Sequence, residues 1–226
     1  MVWKITPLFA QWIASSQNIL HRHGALHPAA TVLELGCGIS GIIGLALGSH
    51  IQSYVLTDQD YVMKLLNQNL VENRQSSVSS SNSSRRKNIA KPKRGSAPAN
   101  VAQNASNITA SVLDWEVDQV TASLTSIEGK DSFDVVIACD CIYNDALIEP
   151  LVQTCRDACS LRRIESGETS IPTLCVVAQQ LRSPDVFEGW LKEFFKSFKV
   201  WRVPDNELID GMKSDTGFVV HIGVLR

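Results

Sequence analysis

The stretch from Thr31 to Asp58 constrains the fold of this chain most, because it reads as strand, glycine turn, helix and strand. The Gly-Cys-Gly turn at 36–38 lacks Cβ atoms that would block a tight bend or a ligand. A helix is predicted over Ile42–Gly48, and a second apolar run, Tyr54–Thr57, ends at Asp58. In a right-handed βαβ unit the strands are neighbours, so the turn and Asp58 reach one sheet edge. A glycine floor beside a carboxylate suits a nucleoside, whose two ribose hydroxyls the acid can bind.

The glycine spacing alone does not choose the cofactor. Gly36, Gly38 and Gly41 satisfy G-x-G-x-x-G, so NAD stays open. Glu34 favours S-adenosylmethionine (SAM), because E-x-G-x-G places a carboxylate that can reach the cationic end of SAM through water or backbone. The pyrophosphate of NAD would be repelled by an acid at that place. A buried α/β unit that uses its glycines only for the turn is the alternative without a ligand.

The remaining pattern predicts one α/β domain over residues 1–226. Further helices are predicted over Ile5–His21, Tyr61–Asn73, Ala146–Ser160 and Val186–Phe198. Further strands are predicted over Ile108–Leu113, Phe133–Ala138, Thr173–Ala178, Lys199–Val203 and Gly217–Val224. The last two strands are joined through Pro204–Thr216 in a hairpin-like return, which favours an antiparallel final strand.

A polar segment interrupts this pattern. Residues 75–107 are rich in Ser, Asn, Ala and Pro and contain no aromatic residue, so we expect a disordered insertion there. The chain has 21 Lys and Arg against 23 Asp and Glu, and six of the basic residues cluster between Arg85 and Arg94. The rest is therefore acidic, which suits a basic protein substrate better than nucleic acid. We interpret the basic cluster as a solvated loop, with RNA binding or a nuclear signal as alternatives.

Location and metal binding are constrained by what the sequence lacks. The residues after Met1 show no basic region followed by an apolar run, and no stretch is long enough for a bilayer, so no membrane partner is expected. The six cysteines fall in predicted strands, helices and the turn, which favours reduced thiols. Cys139 and Cys141 have no second pair or His at zinc spacing, so no metal site is predicted. We expect a cytoplasmic protein, with the nucleus as a second location.

Asp140-Cys141-Ile142-Tyr143, which follows the fourth predicted strand, completes a set of five motifs. The others are V-W before the first helix, E-L-G-C-G in the turn, V-L-T-D at the second strand and L-D-W at the third. Outside the polar segment, the chain resembles the seven-strand protein lysine methyltransferases of methyltransferase family 16, the methyltransferase-like 21 group. Within that group it looks most like the fungal branch related to ribosomal lysine methyltransferase 5. The resemblance implies a Rossmann-like seven-stranded fold, a mostly parallel sheet with an antiparallel last strand.

The resemblance also implies SAM as cofactor and a role for single residues. Trp3 would line the SAM pocket, and Cys139 would contact the cofactor. The turn formed by Gly36, Cys37 and Gly38 would pass under the methionine and ribose. Asp58 would hold the ribose hydroxyls, and Trp115 would cover the adenine. Asp140 and Tyr143 would form the D-x-x-Y motif where the substrate lysine enters. The motif lacks the prolines of Asn/Asp-Pro-Pro-Tyr enzymes, which act on adenine or glutamine nitrogen, and this favours an aliphatic amine.

The chemistry of lysine methylation sets what this motif must do. A free lysine, with a pKa of ~10.4, is mostly charged, and the nucleophile must be neutral. The site has to desolvate the ammonium, release its proton and align the amine with the methyl group. Asp140 and Tyr143 can orient the amine by hydrogen bonds, and either Asp140 or water can take the proton. A helix N-cap is the structural alternative for Asp140.

The sequence thus predicts a SAM-dependent protein-lysine N-methyltransferase, with a ribosomal or other translation protein as the candidate substrate. A non-catalytic binding module with a methyltransferase fold is the first alternative. An NAD-dependent oxidoreductase is the second, although the sequence has no catalytic Tyr-x-x-x-Lys.

Overall fold

A computed structural model describes residues 3–83, 107–162 and 171–226, so most of the predicted insertion, with its basic cluster, lies outside the described residues. The described residues form one seven-stranded sheet in the order β3-β2-β1-β4-β5-β7-β6. The strands are β1 Thr31–Leu35, β2 Ser53–Asp58, β3 Ile108–Val112, β4 Val135–Cys139, β5 Leu174–Gln180, β6 Phe198–Arg202 and β7 Phe218–Leu225. In this sheet β7 runs antiparallel to β5 and β6, and the other pairs are parallel. The predicted fold class is confirmed.

The position of the central strands explains why apolar and polar residues do not alternate regularly along them. All five residues of β1 and of β4 are buried, because helices cover both faces of the sheet. β1 lies between β2 and β4, with Leu35 in register with Thr57 on one side and with Ala138 on the other. The chain segments that follow these three strands therefore leave the sheet at one edge.

Two apolar clusters lie on the two faces of the sheet. The helices are α1 Ile5–Ala14, α2 Ile19–Arg22, α3 Ile42–Leu47, α4 Asp60–Ser83, α5 Ile148–Ser160 and α6 Pro184–Ser197. Residues of α1, α3 and α4 pack on one face, and residues of α5 and α6 pack on the other. Among the helices that the structure describes, none combines the length with the apolar composition that a bilayer-spanning segment needs. All six cysteines lie in the described ranges, and they are buried free thiols.

The first helix differs from its prediction, because the expected span Ile5–His21 is broken into α1 and α2. The backbone becomes extended at Ser15, and Asn18 starts the second helix. The Asn18 side chain accepts a hydrogen bond from the Leu20 N–H at 2.7 Å and donates one to the Trp12 carbonyl at 3.1 Å. An Asn side chain that bonds nearby backbone groups competes with the helix, which explains the break.

The fourth helix is longer than predicted. α4 continues to Ser83, past the predicted end at Asn73 and past Gln75, where the insertion was expected to begin. Val62, Leu66 and Leu70 anchor its first turns in the core. Once such a helix is nucleated, each further residue adds one backbone hydrogen bond, so a polar sequence can prolong it.

Candidate functional site

A cavity of about 330 Å³ opens at the sheet edge where β1, β2 and β4 end. Its size is that of a site for a cofactor or small ligand. Eight of the ten residues that the sequence singled out line it: Trp3, Gly36, Gly38, Asp58, Trp115, Cys139, Asp140 and Tyr143. Segments from distant parts of the chain therefore meet around one space.

The glycine turn and Asp58 form the floor of the cavity. Gly36 and Gly38 have φ angles of 66° and 63°, the left-handed region that favours glycine. A Cβ on Gly36 would lie 2.9 Å from the Cys141 sulfur and 3.0 Å from the Trp115 ring, whereas a Cβ on Gly38 would meet nothing within 4 Å. Gly36 thus permits close packing of the wall, and Gly38 leaves free space above the turn.

Trp115 forms a wall of the cavity after β3. Its Nε1 is buried and finds no hydrogen-bond partner among the described residues. A buried donor without a partner is uncommon in folded proteins. The adjacent Asp114 also lines the cavity, and it accepts a hydrogen bond from the Gln59 side chain at 3.1 Å.

The D-x-x-Y motif lies on the turn after β4. Asp140 is 2% exposed and has a φ angle of 61°, which is uncommon for a residue other than glycine. Tyr143 is 58% exposed at the mouth of the cavity, and its ring stacks on that of Trp3 with the centroids 6.4 Å apart. Partial burial raises the pKa of the Tyr143 phenol, so at neutral pH it keeps its proton and can donate a hydrogen bond.

Arg182 follows β5 and pairs with the Asp140 carboxylate. Nη1 donates to Oδ1 at 2.9 Å and Nη2 donates to Oδ2 at 2.5 Å. The guanidinium carbon also lies 4.8 Å from the centroid of the Trp3 ring. The two carboxylate oxygens of Asp140 are therefore already engaged within the protein.

Two of the ten predicted residues lie outside the lining that the structure describes. Glu34 is fully buried and accepts a hydrogen bond from the Tyr54 hydroxyl at 2.7 Å. Burial raises the pKa of its carboxyl to about 8, so at neutral pH the group is mostly uncharged. The expectation that a Glu34 carboxylate attracts the cationic end of SAM does not fit this position. Cys37 points its buried side chain into the cluster with α1 and α3.

The cysteine thiols near the cavity are not arranged for nucleophilic chemistry. Burial raises the pKa of Cys139 and of Cys141 well above the usual value. The thiolate is the reactive form of cysteine, so these side chains are packing groups. Within the described residues, no group of three or more His, Cys, Asp or Glu could hold a metal ion.

The family model for lysine methyltransferases matches residues 1–93 and 87–182 of the chain. The chain belongs to the lysine methyltransferase family. This confirms the family that the five motifs indicated.

Two curated relatives of this chain share one name. The ribosomal lysine N-methyltransferase 5 of Zygosaccharomyces rouxii is 34% identical over 208 residues, which are 85% of this chain and 62% of the relative. That of Vanderwaltozyma polyspora is 26% identical over 234 residues, 92% of this chain and 70% of the relative. The chain thus spans roughly two thirds of the length of these two relatives.

Solved structures support the fold of this lysine methyltransferase family member. Magnesium protoporphyrin IX methyltransferase from Synechocystis, with bound S-adenosylhomocysteine, has a TM-score of 0.53 at 12% identity, over all of this chain and 89% of that chain. The N-methyltransferase NodS from Bradyrhizobium japonicum has a TM-score of 0.53 at 10% identity, over 99% of this chain and all of that chain. At such identities the similarity concerns the fold alone.

Sequence reasoning did not predict several residues of the site. Gln59, Tyr61, Asp114, Glu116 and Leu147 also line the cavity. Asp114 had a visible signal, because it stands inside the L-D-W motif that was used for Trp115. Arg182 carried no such signal, since its contact with Asp140 joins residues 42 positions apart.

Proposed function

We propose that this protein is a SAM-dependent protein-lysine N-methyltransferase. The observation that carries the proposal is that the D-x-x-Y motif, the glycine turn and Asp58 lie around one cavity in a member of the lysine methyltransferase family. The two solved neighbours described above, one with S-adenosylhomocysteine bound, have the same fold. Family, fold and site therefore favour the same reaction.

The residues around the cavity fit SAM. Asp58 accepts one backbone N–H at each carboxylate oxygen, and a carboxylate has about four acceptor positions, so it can still receive both ribose hydroxyls. The open space above Gly38 lets a ligand approach the turn, and Trp115 supplies an aromatic side chain to the cavity wall. When bound, SAM supplies a methyl group on a positively charged sulfur.

Asp140 and Tyr143 receive the acceptor amine in this proposal. Tyr143 stands exposed at the cavity mouth, where its hydroxyl can accept from or donate to a nitrogen, while Asp140 lies buried beneath it. The two side chains orient the amine and exclude water from one side, which aligns the nitrogen for an in-line displacement. Because Arg182 occupies both oxygens of Asp140, we assign the proton to solvent and not to Asp140.

A protein is the proposed substrate, and a ribosomal protein is the first candidate. Two relatives are named ribosomal lysine N-methyltransferase 5. The acidic residues that outnumber basic ones outside the polar segment are complementary to the basic surfaces of proteins that bind RNA.

Two measurements test the proposal. Calorimetric titration with SAM, with NADH as the control ligand, tests the cofactor. Incubation of a ribosomal protein fraction with methyl-labelled SAM, followed by mass spectrometry for methyl-lysine, tests the reaction. Tyr143→Phe should lower kcat by about tenfold or more and keep SAM affinity, because it removes only the hydroxyl that orients the amine. Trp201→Phe, at an exposed aromatic residue of β6 outside the described cavity lining, is the control.

The alternatives give different results in the same experiments. SAM binding without methylation of any protein fraction would favour a non-catalytic binding module. Binding of NADH in place of SAM would favour an oxidoreductase and contradict the proposal.

A further inference from the structure

Arg182 forms a bidentate salt bridge with the buried carboxylate of Asp140. The Asp140 side chain is 1% exposed and that of Arg182 is 33% exposed, so the pair joins the protein interior to the surface. Two parallel N–H···O bonds fix the direction of the carboxylate as well as its position. The backbone N–H of Gln180 adds a third, longer hydrogen bond to Oδ1 at 3.2 Å. The end of β5 therefore sets the orientation of Asp140.

The face of the same guanidinium contacts the N-terminal segment. The Arg182 carbon lies 4.8 Å from the centroid of the Trp3 ring, a distance at which a cation is attracted to an indole. Trp3 precedes α1, is 43% exposed and stacks on Tyr143. Arg182 thus contacts a cavity-lining acid with its edge and a cavity-lining indole with its face.

The turn that carries Asp140 is strained, which makes external support important. Asp140 has a φ angle of 61°, and such a conformation persists where surrounding contacts determine it. Its N–H donates to the Ala178 carbonyl at 2.7 Å, and its side chain is bound by Arg182. Both contacts come from β5 or the residues directly after it, and together they hold the turn that presents Tyr143.

We propose that Arg182 is a positioning residue of the acceptor site, which fixes Asp140 and Trp3 relative to each other. Arg182 is not among the described residues that line the cavity, so it acts through these two side chains and not on the reactants. Oδ1 of Asp140 accepts two hydrogen bonds and Oδ2 accepts one, which leaves one acceptor position of the carboxylate for an amine. This inference rests on the proposed function.

Substitutions of Arg182 test the role in turnover. Arg182→Ala should lower kcat by about 100-fold, because a small displacement of an orienting group has an effect of that size. It should weaken SAM binding only about threefold, through Trp3, since an exposed cation–π contact contributes about 0.5–1 kcal/mol. The kcat of Arg182→Lys should lie between those of the wild type and Arg182→Ala, because lysine keeps the charge but not the planar guanidinium. Arg202→Ala, an exposed arginine on β6 with a 3.7 Å ion pair to Asp205, is the control and should match the wild type.

A double-mutant cycle separates positioning from general stabilisation. Arg182→Gln and Asp140→Asn are made singly and together, and the double variant leaves no unpaired buried charge. If Arg182 acts through Asp140, Arg182→Gln should lower kcat strongly in the wild-type background and have little further effect in Asp140→Asn. Independent losses that multiply in the double variant would overturn the proposal.

A spectroscopic measurement tests the contact with Trp3 without cofactor or substrate. The Trp3 indole N–H resonance is assigned with Trp3→Phe, and it should shift or broaden in Arg182→Gln and stay unchanged in Arg202→Ala. An unchanged Trp3 resonance in Arg182→Gln would contradict the inference even if the wild type methylates lysine. Failure of the wild type to bind SAM, with the Trp3 resonance responding as expected, would contradict the proposed function alone.

Discussion

The backbone N–H of Gly38 donates a hydrogen bond of 2.8 Å to the carboxylate of Asp58, twenty residues further along the chain. The other oxygen of Asp58 accepts from the N–H of Gln59, also at 2.8 Å. The acid that ends β2 therefore holds the glycine turn that follows β1. A change at either residue should affect both the shape of the turn and the binding of a ribose.

Asp58→Asn should weaken SAM binding by on the order of tenfold or more, because hydrogen bonds to a charged group contribute about 1.5–3 kcal/mol each. The amide also turns one acceptor into a donor that faces a backbone N–H. Titration calorimetry measures the effect. Asp157→Asn, on α5 with a side-chain partner at Gln153, is the control and should bind SAM like the wild type.

Gly36→Ala should destabilise the protein more than Gly38→Ala does. Both residues have positive φ, so each alanine is expected to lose about 1–2 kcal/mol to backbone strain. Only at Gly36 does the new methyl group also meet the Cys141 sulfur and the Trp115 ring. Urea unfolding gives the difference, and equal losses would show that the close packing at Gly36 is unimportant.

Gly38→Ala and Gly217→Ala form a second comparison. Both positions have positive φ and open space around a Cβ, but only Gly38 lines the cavity. We expect similar losses in the free energy of unfolding and a loss of SAM affinity for Gly38→Ala alone. If Gly217→Ala weakened SAM binding equally, the effect would come from strain in general.

Glu34 should make the stability of the fold depend on pH. Burial raises the pKa of its carboxyl from 4.5 to about 8 in the folded protein, so the folded state holds a proton that the unfolded chain releases. The contribution of Glu34 to the free energy of unfolding is therefore full below pH 4.5 and is lost as the pH rises to about 8, by at most about 1.4 kcal/mol per pH unit.

Glu34→Gln tests this pH dependence. The amide stays neutral, and its oxygen can still accept a hydrogen bond from the Tyr54 hydroxyl. The free energy of unfolding of the variant, relative to that of the wild type, should therefore increase from pH 5 to pH 8. Urea unfolding at several pH values measures this difference. Parallel profiles for the two proteins would contradict a neutral Glu34. SAM affinity should change little, because Glu34 lies outside the described cavity lining.

Trp115 should report on cofactor binding by its fluorescence. SAM in the cavity would contact the Trp115 side chain, and we expect the emission to change on titration. Trp115→Phe should remove most of that change, and its loss of stability should come from lost packing, because no hydrogen bond to a described residue is broken. Trp201→Phe, at an exposed residue of β6, should retain it. A signal that survives in Trp115→Phe would place the ligand elsewhere.

The sequence predicted the sheet well, because buried parallel strands need apolar residues on both faces and the central strands satisfy that need. The glycine turn and Asp58 were also predictable from local sequence, because the glycines mark a tight turn and Asp58 ends the second apolar run. Breaks in helices were less visible: the interruption before Asn18 depends on one side chain that binds the backbone of both α1 and α2. The polar residues that prolong α4 have no apolar periodicity to mark them.

At the site, the sequence did not predict the direction of one side chain or the pairing of residues that are distant in the chain. Glu34 stands two residues before Gly36, yet its side chain points into the core towards Tyr54 and not into the cavity. The alternation of a strand allowed either face, and only packing decided between them. Arg182 meets Asp140 because β4 and β5 are neighbours, which no local pattern around Arg182 reveals.

The place of β1 between β2 and β4 divides the cavity between two lengths of chain. Residues up to Ser83 supply Trp3, the glycine turn and Asp58, and residues from Asn107 onward supply Trp115, Asp140 and Tyr143. The two parts join through the β2–β3 and β1–β4 strand pairs, and α1 also packs against β5. Two fragments divided within the polar segment would each lack half of the cavity lining, so the proposed methyl transfer should return only when the two fragments combine.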